Sequence, residues 1–259
     1  MLYIAYFSPT GTTRRIAASV GKALFETFLC RTQVVDLTPP AARLRGRTFS
    51  QEDIVVFGAP VYGGRVPPLL LPALRLWNGG GAKAVVLSVY GNRDFDDALL
   101  ETKDLFEERG FTVCAAAAFI GEHSYSSEVG AGRPDAEDLL AAQTFGRAAA
   151  GRVRGGLPLQ EPVAGRRPYK AYSPFLLAPK TAPAPDSSLC VRCGACVSVC
   201  PVADIAPDLS SRGGCIGCAA CVKACRAHAR AFTDEGILPA KARLERDCTA
   251  RRAPALFLQ

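Results

Sequence analysis

Residues 6–17 read YFSPTGTTRRIA. An apolar run, LYIAYF at 2–7, stops at a proline, and four hydroxyl residues gather around a glycine before a helix-like pattern begins. A loop that enters a helix in this way presents backbone N–H groups that have no partner within the helix. An anion placed there gains those donors and the positive end of the helix dipole. Ser8, Thr10, Thr12 and Thr13 would add hydroxyl donors, and Gly11 would let the backbone approach phosphate oxygens closely. The plainer alternative is a strand-to-helix turn closed by a Ser or Thr N-cap. Two further polar loops in register with this one favour the anion site.

The same strand–loop–helix rhythm runs through the first 150 residues. Apolar runs occur at 2–7, 32–37 (TQVVDL), 53–59 (DIVVFGA), 83–90 (KAVVLSVY) and 111–120 (FTVCAAAAFI). Runs of this kind bounded by turn signals predict strands buried on both faces. Helical patterns fill the gaps at 13–29, 68–77, 94–109 and 135–150. The last opens on Pro134 and Asp135, with early acids that suit the dipole. The crossover at 38–51 is short and proline-marked, which predicts a helix of a turn or two. Five strands alternating with helices predict an α/β fold with a parallel sheet and right-handed crossovers.

Residues 151–187 are rich in proline and glycine without a sustained period, the composition of an extended connection. Tyr169, Tyr172, Phe175 and Leu176 could pin part of it to a surface. The expected organisation is a first domain over 1–150, a linker over 151–187, a small cysteine-rich domain over 188–235 and a tail over 236–259. The tail reads as one short helix or a solvated terminus.

The formal net charge of +7 is unevenly placed: residues 1–150 hold fifteen Lys/Arg and sixteen Asp/Glu, residues 151–259 sixteen and eight. A basic half suggests nucleic acid or a membrane surface. It lacks interleaved aromatics, however, and thiolate-ligated clusters would bring negative charge that the formal count omits. No nucleic-acid partner is expected. The longest apolar candidate, VPPLLLPALRLW, is too short for a membrane span and is broken by prolines. No basic segment precedes LYIAYF, so no secretory signal is expected and the protein reads as cytoplasmic.

Eleven cysteines in a cytoplasmic chain point to metal rather than disulfides. CVRCGACVSVCP supplies Cys190, Cys193, Cys196 and Cys200, and CIGCAACVKAC repeats the spacing with Cys215, Cys218, Cys221 and Cys225. This is the bacterial iron–sulfur spacing, in which the fourth cysteine of each run ligates the other cluster. One cluster should therefore take Cys190, Cys193, Cys196 and Cys225, the other Cys215, Cys218, Cys221 and Cys200. Zinc, the alternative, uses two C-x2-4-C pairs and does not need the third step in each run. Arg226 follows the second run where Pro201 follows the first, which predicts altered turn geometry or potential with the ligand intact. Cys30 and Cys114 read as buried thiols, and Cys248 lies in the polar tail.

On these motifs residues 1–150 resemble a flavodoxin domain, whose phosphate loop has the form S/T-x-T-G-x-T. SPTGTT fits it at every position: Ser8, Pro9, Thr10, Gly11, Thr12 and Thr13. The resemblance implies a five-stranded parallel sheet in the order 2-1-3-4-5, flavin mononucleotide (FMN) as cofactor, and a flavin ring held between the loops after strands three and four. Those loops are GAPVYGGRVP (58–67) and SVYGNRDFDDAL (88–99). The implied contacts are Pro60, Val61, Tyr62, Gly63 and Gly64 in the first, and Tyr90, Gly91, Asn92, Arg93, Asp94 and Phe95 in the second. Either Tyr62 or Tyr90 would pack on the ring. His123, in GEHSYSS (121–127), reads as structural rather than flavin-lining. No G-x-G-x-x-G follows a strand, so direct use of NAD(P)H has no support.

With the cysteine runs added, the chain resembles the flavodoxin–ferredoxin fusion proteins of anaerobic bacteria and archaea over nearly its whole length. The resemblance implies a small α+β two-cluster ferredoxin domain and electron transfer between two 4Fe-4S clusters and FMN. It also implies exchange with a redox partner protein, whose acidic docking surface would face the basic second half. Two rival readings stand beside the carrier: a flavin-dependent reductase of a quinone-like or unsaturated small molecule, and a flavin-free redox sensor.

Overall fold

A computed structural model describes residues 1–178, 180–233 and 237–259. The expected domain boundary at 235 and the side chain of Phe175 lie outside the described part. The strands are β1 (Leu2–Tyr6), β2 (Thr32–Asp36), β3 (Arg47–Thr48), β4 (Ile54–Pro60), β5 (Trp77–Asn78), β6 (Lys83–Tyr90), β7 (Thr112–Ile120) and β8 (Ala255–Phe257). Helices α1 (Thr12–Phe28), α2 (Leu70–Arg75), α3 (Ala98–Glu108) and α4 (Ala136–Gly155) fill the crossovers. The five expected strands are β1, β2, β4, β6 and β7, all parallel and ordered β2-β1-β4-β6-β7. That is the 2-1-3-4-5 order, with one addition. β8, from the C-terminal tail, pairs antiparallel with β7 and places Leu256 opposite Ala117. The tail, read as one short helix or a solvated terminus, forms a helix over Ile237–Asp247 and then the edge strand of the sheet.

Period-two alternation distributes the strands between two apolar layers. Along β4, Val55, Phe57 and Ala59 enter one layer with Trp77 and Phe106, while Ile54 and Val56 enter the other with Ile16, Val20 and Phe145. The second layer also holds α1 against α4. A Cβ on Gly146 would lie 2.8 Å from Ala23 Cβ and 2.9 Å from Val20 O, so only glycine lets these helices come this close. β2 departs from expectation: at the sheet edge, only Val35 is buried along it. The short crossover becomes a 3-10 turn over Pro40–Leu44, and β3 pairs with β5 apart from the main sheet.

The segment read as an extended connection is strapped to the first domain. α4 runs to Gly155, past the expected boundary at 150. Beyond it, Arg65 is a buried anchor: Nε and Nη2 donate to Glu101 at 2.7 and 2.6 Å, and the guanidinium lies 4.9 and 4.4 Å from the ring centroids of Tyr169 and Tyr172. The Tyr172 hydroxyl donates to Val66 O at 2.8 Å, and the Asp97 carboxylate accepts from the N–H groups of Arg166 and Lys170. Removing one member of a buried, hydrogen-bonded ion pair leaves the other charge without compensation, at a cost of about 3–5 kcal/mol. Glu101→Ala is therefore expected to lower the urea midpoint of the Trp77 fluorescence transition by that equivalent. A loss below about 1 kcal/mol, the scale of an exposed pair, would show that the strap does not depend on Glu101.

Candidate cofactor sites

Four loops meet at the carboxyl ends of β1, β4, β6 and β7. Thr10, Thr12 and Thr13, Pro60 to Tyr62, Tyr90 and Gly91, and Gly121 to Ser124 wall one cleft. Such a crevice beyond the strand ends is where open α/β sheets bind ligands. Gly11 is the N-cap of α1 at φ 85°, with no side-chain cap bond. The N-cap residue itself is thus not a Ser or Thr, yet Ser8 closes the first turn from the loop. Its Oγ accepts the N–H of Arg14, the third residue of α1, at 3.0 Å, while its own N–H donates to Thr38 Oγ1 at 2.9 Å. Thr13 differs, since its Oγ1 is fully buried with no hydrogen-bond partner. A buried hydroxyl left unsatisfied costs about 1–3 kcal/mol, so it marks a place where a ligand's acceptor atom fits.

The two tyrosines are not equivalent. Tyr90 is 4% exposed, packs on Phe95 with ring centroids 5.6 Å apart, and shares its hydroxyl with Arg252 from the tail. Tyr62 lines the cleft with its ring half-buried and its hydroxyl buried without a partner. Burial pushes the Tyr62 phenol well above its ordinary range, and charge on Cys218, Tyr125 and Cys215 adds to the effect. Gly63, Gly64, Arg93 and Asp94 wall an adjoining space. Asn92 and Phe95 do not reach the cleft. Asn92 is buried and its amide donates to Cys248 O and Ala250 O at 2.6 and 2.8 Å, so it ties down the tail; Phe95 packs against the core.

The cysteine runs fold as two similar turns. Each begins a one-turn helix after its second cysteine, α6 (Ala195–Ser198) after Gly194 at φ 73° and α7 (Ala220–Lys223) after Ala219 at φ 62°. Cys190, Cys193, Cys196 and Cys225 line one largely apolar pocket. Cys200 lies within electrostatic reach of the other run. Burial raises the Cys218 thiol to about 12 and the Cys221 thiol to about 11; both feel Cys215 and Cys200 as neighbouring negative charge, and Cys221 feels Cys196 as well. Backbone N–H groups of Asp204 and Gly217 reach Cys200 Sγ and Cys215 Sγ, each at 3.3 Å. Thiols held this high need strong cationic ligation to ionise, which an iron cube supplies and water does not. Among the described residues, no three His, Cys, Asp or Glu side chains close up on a single-ion site.

The spaces beside the flavin-loop cleft are walled by the second half of the chain. Ile216 and Gly217, from the second cysteine run, face Val61 and Tyr62, together with Leu176 from α5 (Pro174–Leu177). Ala240, Arg243 and Leu244, from α8 (Ile237–Asp247), face Gly63, Gly64 and Tyr90. Sequence reasoning did not anticipate these walls, because nothing in a cysteine run or a basic tail signals what it will pack against.

His123 sits at the junction of these spaces. Burial first, then the charges of Lys223 and Arg93, lower its imidazole to about 4, and Nδ1 accepts the Tyr125 N–H at 3.1 Å. The ring is thus neutral at neutral pH. A histidine depressed in the fold contributes stability fully present above its unfolded value of about 6.5, which drains away as pH falls toward 4. Between pH 7 and 5 the loss is about 2 kcal/mol. His123→Gln should remove that slope from urea unfolding followed at Trp77; an unchanged slope would place the pH sensitivity elsewhere.

Comparison with known proteins bears on these sites. The flavodoxin domain family matches residues 3–71, and 4Fe-4S binding domains match residues 183–205 and 212–228. Solved structures similar to this chain include a flavodoxin from the domain Archaea (17% identity, 60% of this chain and 99% of that one, TM-score 0.40). Oxidised flavodoxin 2 from Bacillus cereus is another (19% identity, 58% and 98%, TM-score 0.44). Rubredoxin oxygen:oxidoreductase from Desulfovibrio gigas is similar over 60% of this chain but 36% of its own length (14% identity, TM-score 0.44). No curated protein matches. The chain carries a flavodoxin-like domain, which implies FMN, followed by two ferredoxin-type motifs, which imply two 4Fe-4S clusters: the make-up of a flavodoxin–ferredoxin fusion.

Proposed function

We propose that this protein is an electron relay, passing low-potential electrons between its two 4Fe-4S clusters and its FMN, and to or from a redox partner protein. One observation carries the reading: the turn that holds the second cysteine run and the loop that holds Tyr62 wall the same space. Two redox groups in these sites would be neighbours within one chain, so exchange between them needs no diffusional encounter. When bound, the clusters exchange single electrons and the flavin one or two; the protein sets distance, potential and access.

The chain's own residues take distinct parts. Thr10, Thr12, Thr13 and the N-terminal end of α1 hold the phosphate, with Thr13 Oγ1 donating to it and Gly11 giving the loop its turn. Tyr62, rather than the buried Tyr90, packs on the flavin ring, and Pro60, Val61, Gly63, Gly64 and Gly91 offer backbone to its edge. Cys190, Cys193, Cys196 and Cys225 ligate one cluster, and Cys215, Cys218, Cys221 and Cys200 the other. The common pocket of the first set supports this crossed assignment. Backbone N–H groups on sulfur tune the potentials.

A carrier is favoured over a reductase because the open sides of the flavin space are occupied by chain. α8 contributes Ala240, Arg243 and Leu244, and the one histidine at the site is held neutral with its Nδ1 already engaged. We place the protein in the cytoplasm of an organism living without oxygen, where low-potential clusters persist. In stopped flow, the reduced holoprotein should be reoxidised slowly and without saturation by small quinones, and rapidly by a protein acceptor. Rapid saturable reoxidation by a quinone would favour the reductase. Thr13→Val tests the phosphate assignment by moving two readouts apart. Losing a hydrogen bond to a charged group costs about 1.5–3 kcal/mol, so FMN affinity should fall about 10–100-fold. The FMN-free protein should be no less stable, because an orphan hydroxyl is removed. Unchanged affinity would remove Thr13 from the site.

A further inference from the structure

The fold does not treat the two cysteine sets alike. Cys218 and Cys221 are 7% and 8% exposed, whereas Cys193 is open to solvent. Ile216, between Cys215 and Cys218, packs against the apolar layer of the flavodoxin-like domain, and Ile216 and Gly217 share a wall with Tyr62. The pocket of Cys190, Cys193, Cys196 and Cys225 includes none of the residues that wall the flavin cleft.

Two ties hold the second set inward. Arg43, whose guanidinium donates to Leu37 O and Thr38 O at 2.7 and 2.8 Å, also donates to Pro201 O, next to Cys200. Lys223, on the one-turn helix of the second run, pairs with Glu122. The ring of Phe232 stacks edge-on against Tyr125 at 5.3 Å.

The charge of the second half sharpens the contrast. Four of its sixteen cations pair with carboxylates of the first half: Arg167 with Asp104, Lys170 with Asp96, Lys223 with Glu122, and Arg251 with Asp135 and Glu137. Arg192, on the wall of the Cys193 pocket, and Arg226, directly after Cys225 in the chain, both stand exposed. Next to them Leu189 and Val191 are 50% and 73% exposed, an apolar patch with a basic rim.

We propose that the clusters form an ordered path, in which the set of Cys215, Cys218, Cys221 and Cys200 is the inner centre, coupled to the flavin across Tyr62 and the Ile216–Gly217 turn. The set of Cys190, Cys193, Cys196 and Cys225 is the outer port, docked at Leu189, Val191, Arg192 and Arg226 by a partner that rims its own redox centre with carboxylates. This order rests on the relay reading. Each passage would move one electron from a reduced one-electron iron–sulfur protein, which is oxidised. The electron would cross the site of Cys190, Cys193, Cys196 and Cys225 and then that of Cys215, Cys218, Cys221 and Cys200, each returning to its oxidised state, to the flavin site beside Tyr62. Two passages would supply the two electrons a flavin accepts, with its protons from solvent, and no bond within the chain would form or break. The same path serves in reverse.

Two measurements on anaerobic full-length holoprotein test the order, with iron and FMN assayed in every sample. In the first, low-temperature magnetic resonance of the reduced clusters is compared with and without FMN. The cluster signal that is missing from Cys218→Ser should be the one FMN perturbs, and the signal missing from Cys193→Ser should not change. The opposite pattern, or equal perturbation of both, overturns the order. In the second, which does not depend on cysteine variants folding, the reduced probe is a purified acidic two-cluster ferredoxin. Arg192→Glu with Arg226→Glu should slow its reaction at least tenfold at low salt, while reduction by a neutral photoexcited deazaflavin keeps its rate. An unchanged ferredoxin rate, or equal slowing by both reductants, overturns the port. Protein lacking FMN, or holding about four irons instead of eight, would sink the relay reading itself, a distinct result.

Discussion

The space shared by the Ile216–Gly217 turn and the Tyr62 loop is what the rest of the structure serves. Without it the chain would be two carriers joined by a tether. With it, the carboxyl edge of a parallel sheet and a cysteine turn become two walls of one space. The wall is held by interactions distributed over the whole chain. Lys223 reaches Glu122 beside His123, Arg43 reaches the carbonyl of Pro201, and the Arg65 cage fixes the strap that leads from one domain to the other.

Seen this way, the second half is less an appended domain than a wrapping. After the cysteine runs the chain returns as α8 over the flavin space, passes Asn92 and Arg133, and finishes as β8 on the sheet edge. That route resolves the uneven charge of the sequence. A surplus of cations in the second half suggests an external polyanion, yet several of those cations meet the acids of the first half. β8 also covers Ala116 to Ala118 on an edge of β7 that would otherwise be open to pairing with another chain.

What could be read from the sequence follows from the range of the forces involved. Buried parallel strands announce themselves as apolar runs, so β1, β4, β6 and β7 lie within a residue or so of their expected places. The SPTGTT loop and the two cysteine runs carry their chemistry in local spacing. β8 was invisible because three residues, ALF, have no period, and their pairing with Ala116 to Ala118 depends on a partner more than a hundred positions away. Asn92 looked like a flavin contact by its position in the loop, but its amide satisfies two carbonyls of the tail, a demand set by packing. The choice between Tyr62 and Tyr90 likewise needed burial, which spacing does not encode. The cage around Arg65 lay in proline- and glycine-rich composition that hides tertiary order.

The central claim is that one chain holds a flavin and two cubes in electrical contact. An anaerobic reductive titration of the holoprotein, followed by visible absorption, tests it most directly. Each cluster accepts one electron and the flavin two, so the account predicts an endpoint of about four electrons per polypeptide. An endpoint of about two, or flavin absorption that stays oxidised after the clusters are filled by a sufficiently low-potential reductant, would contradict it.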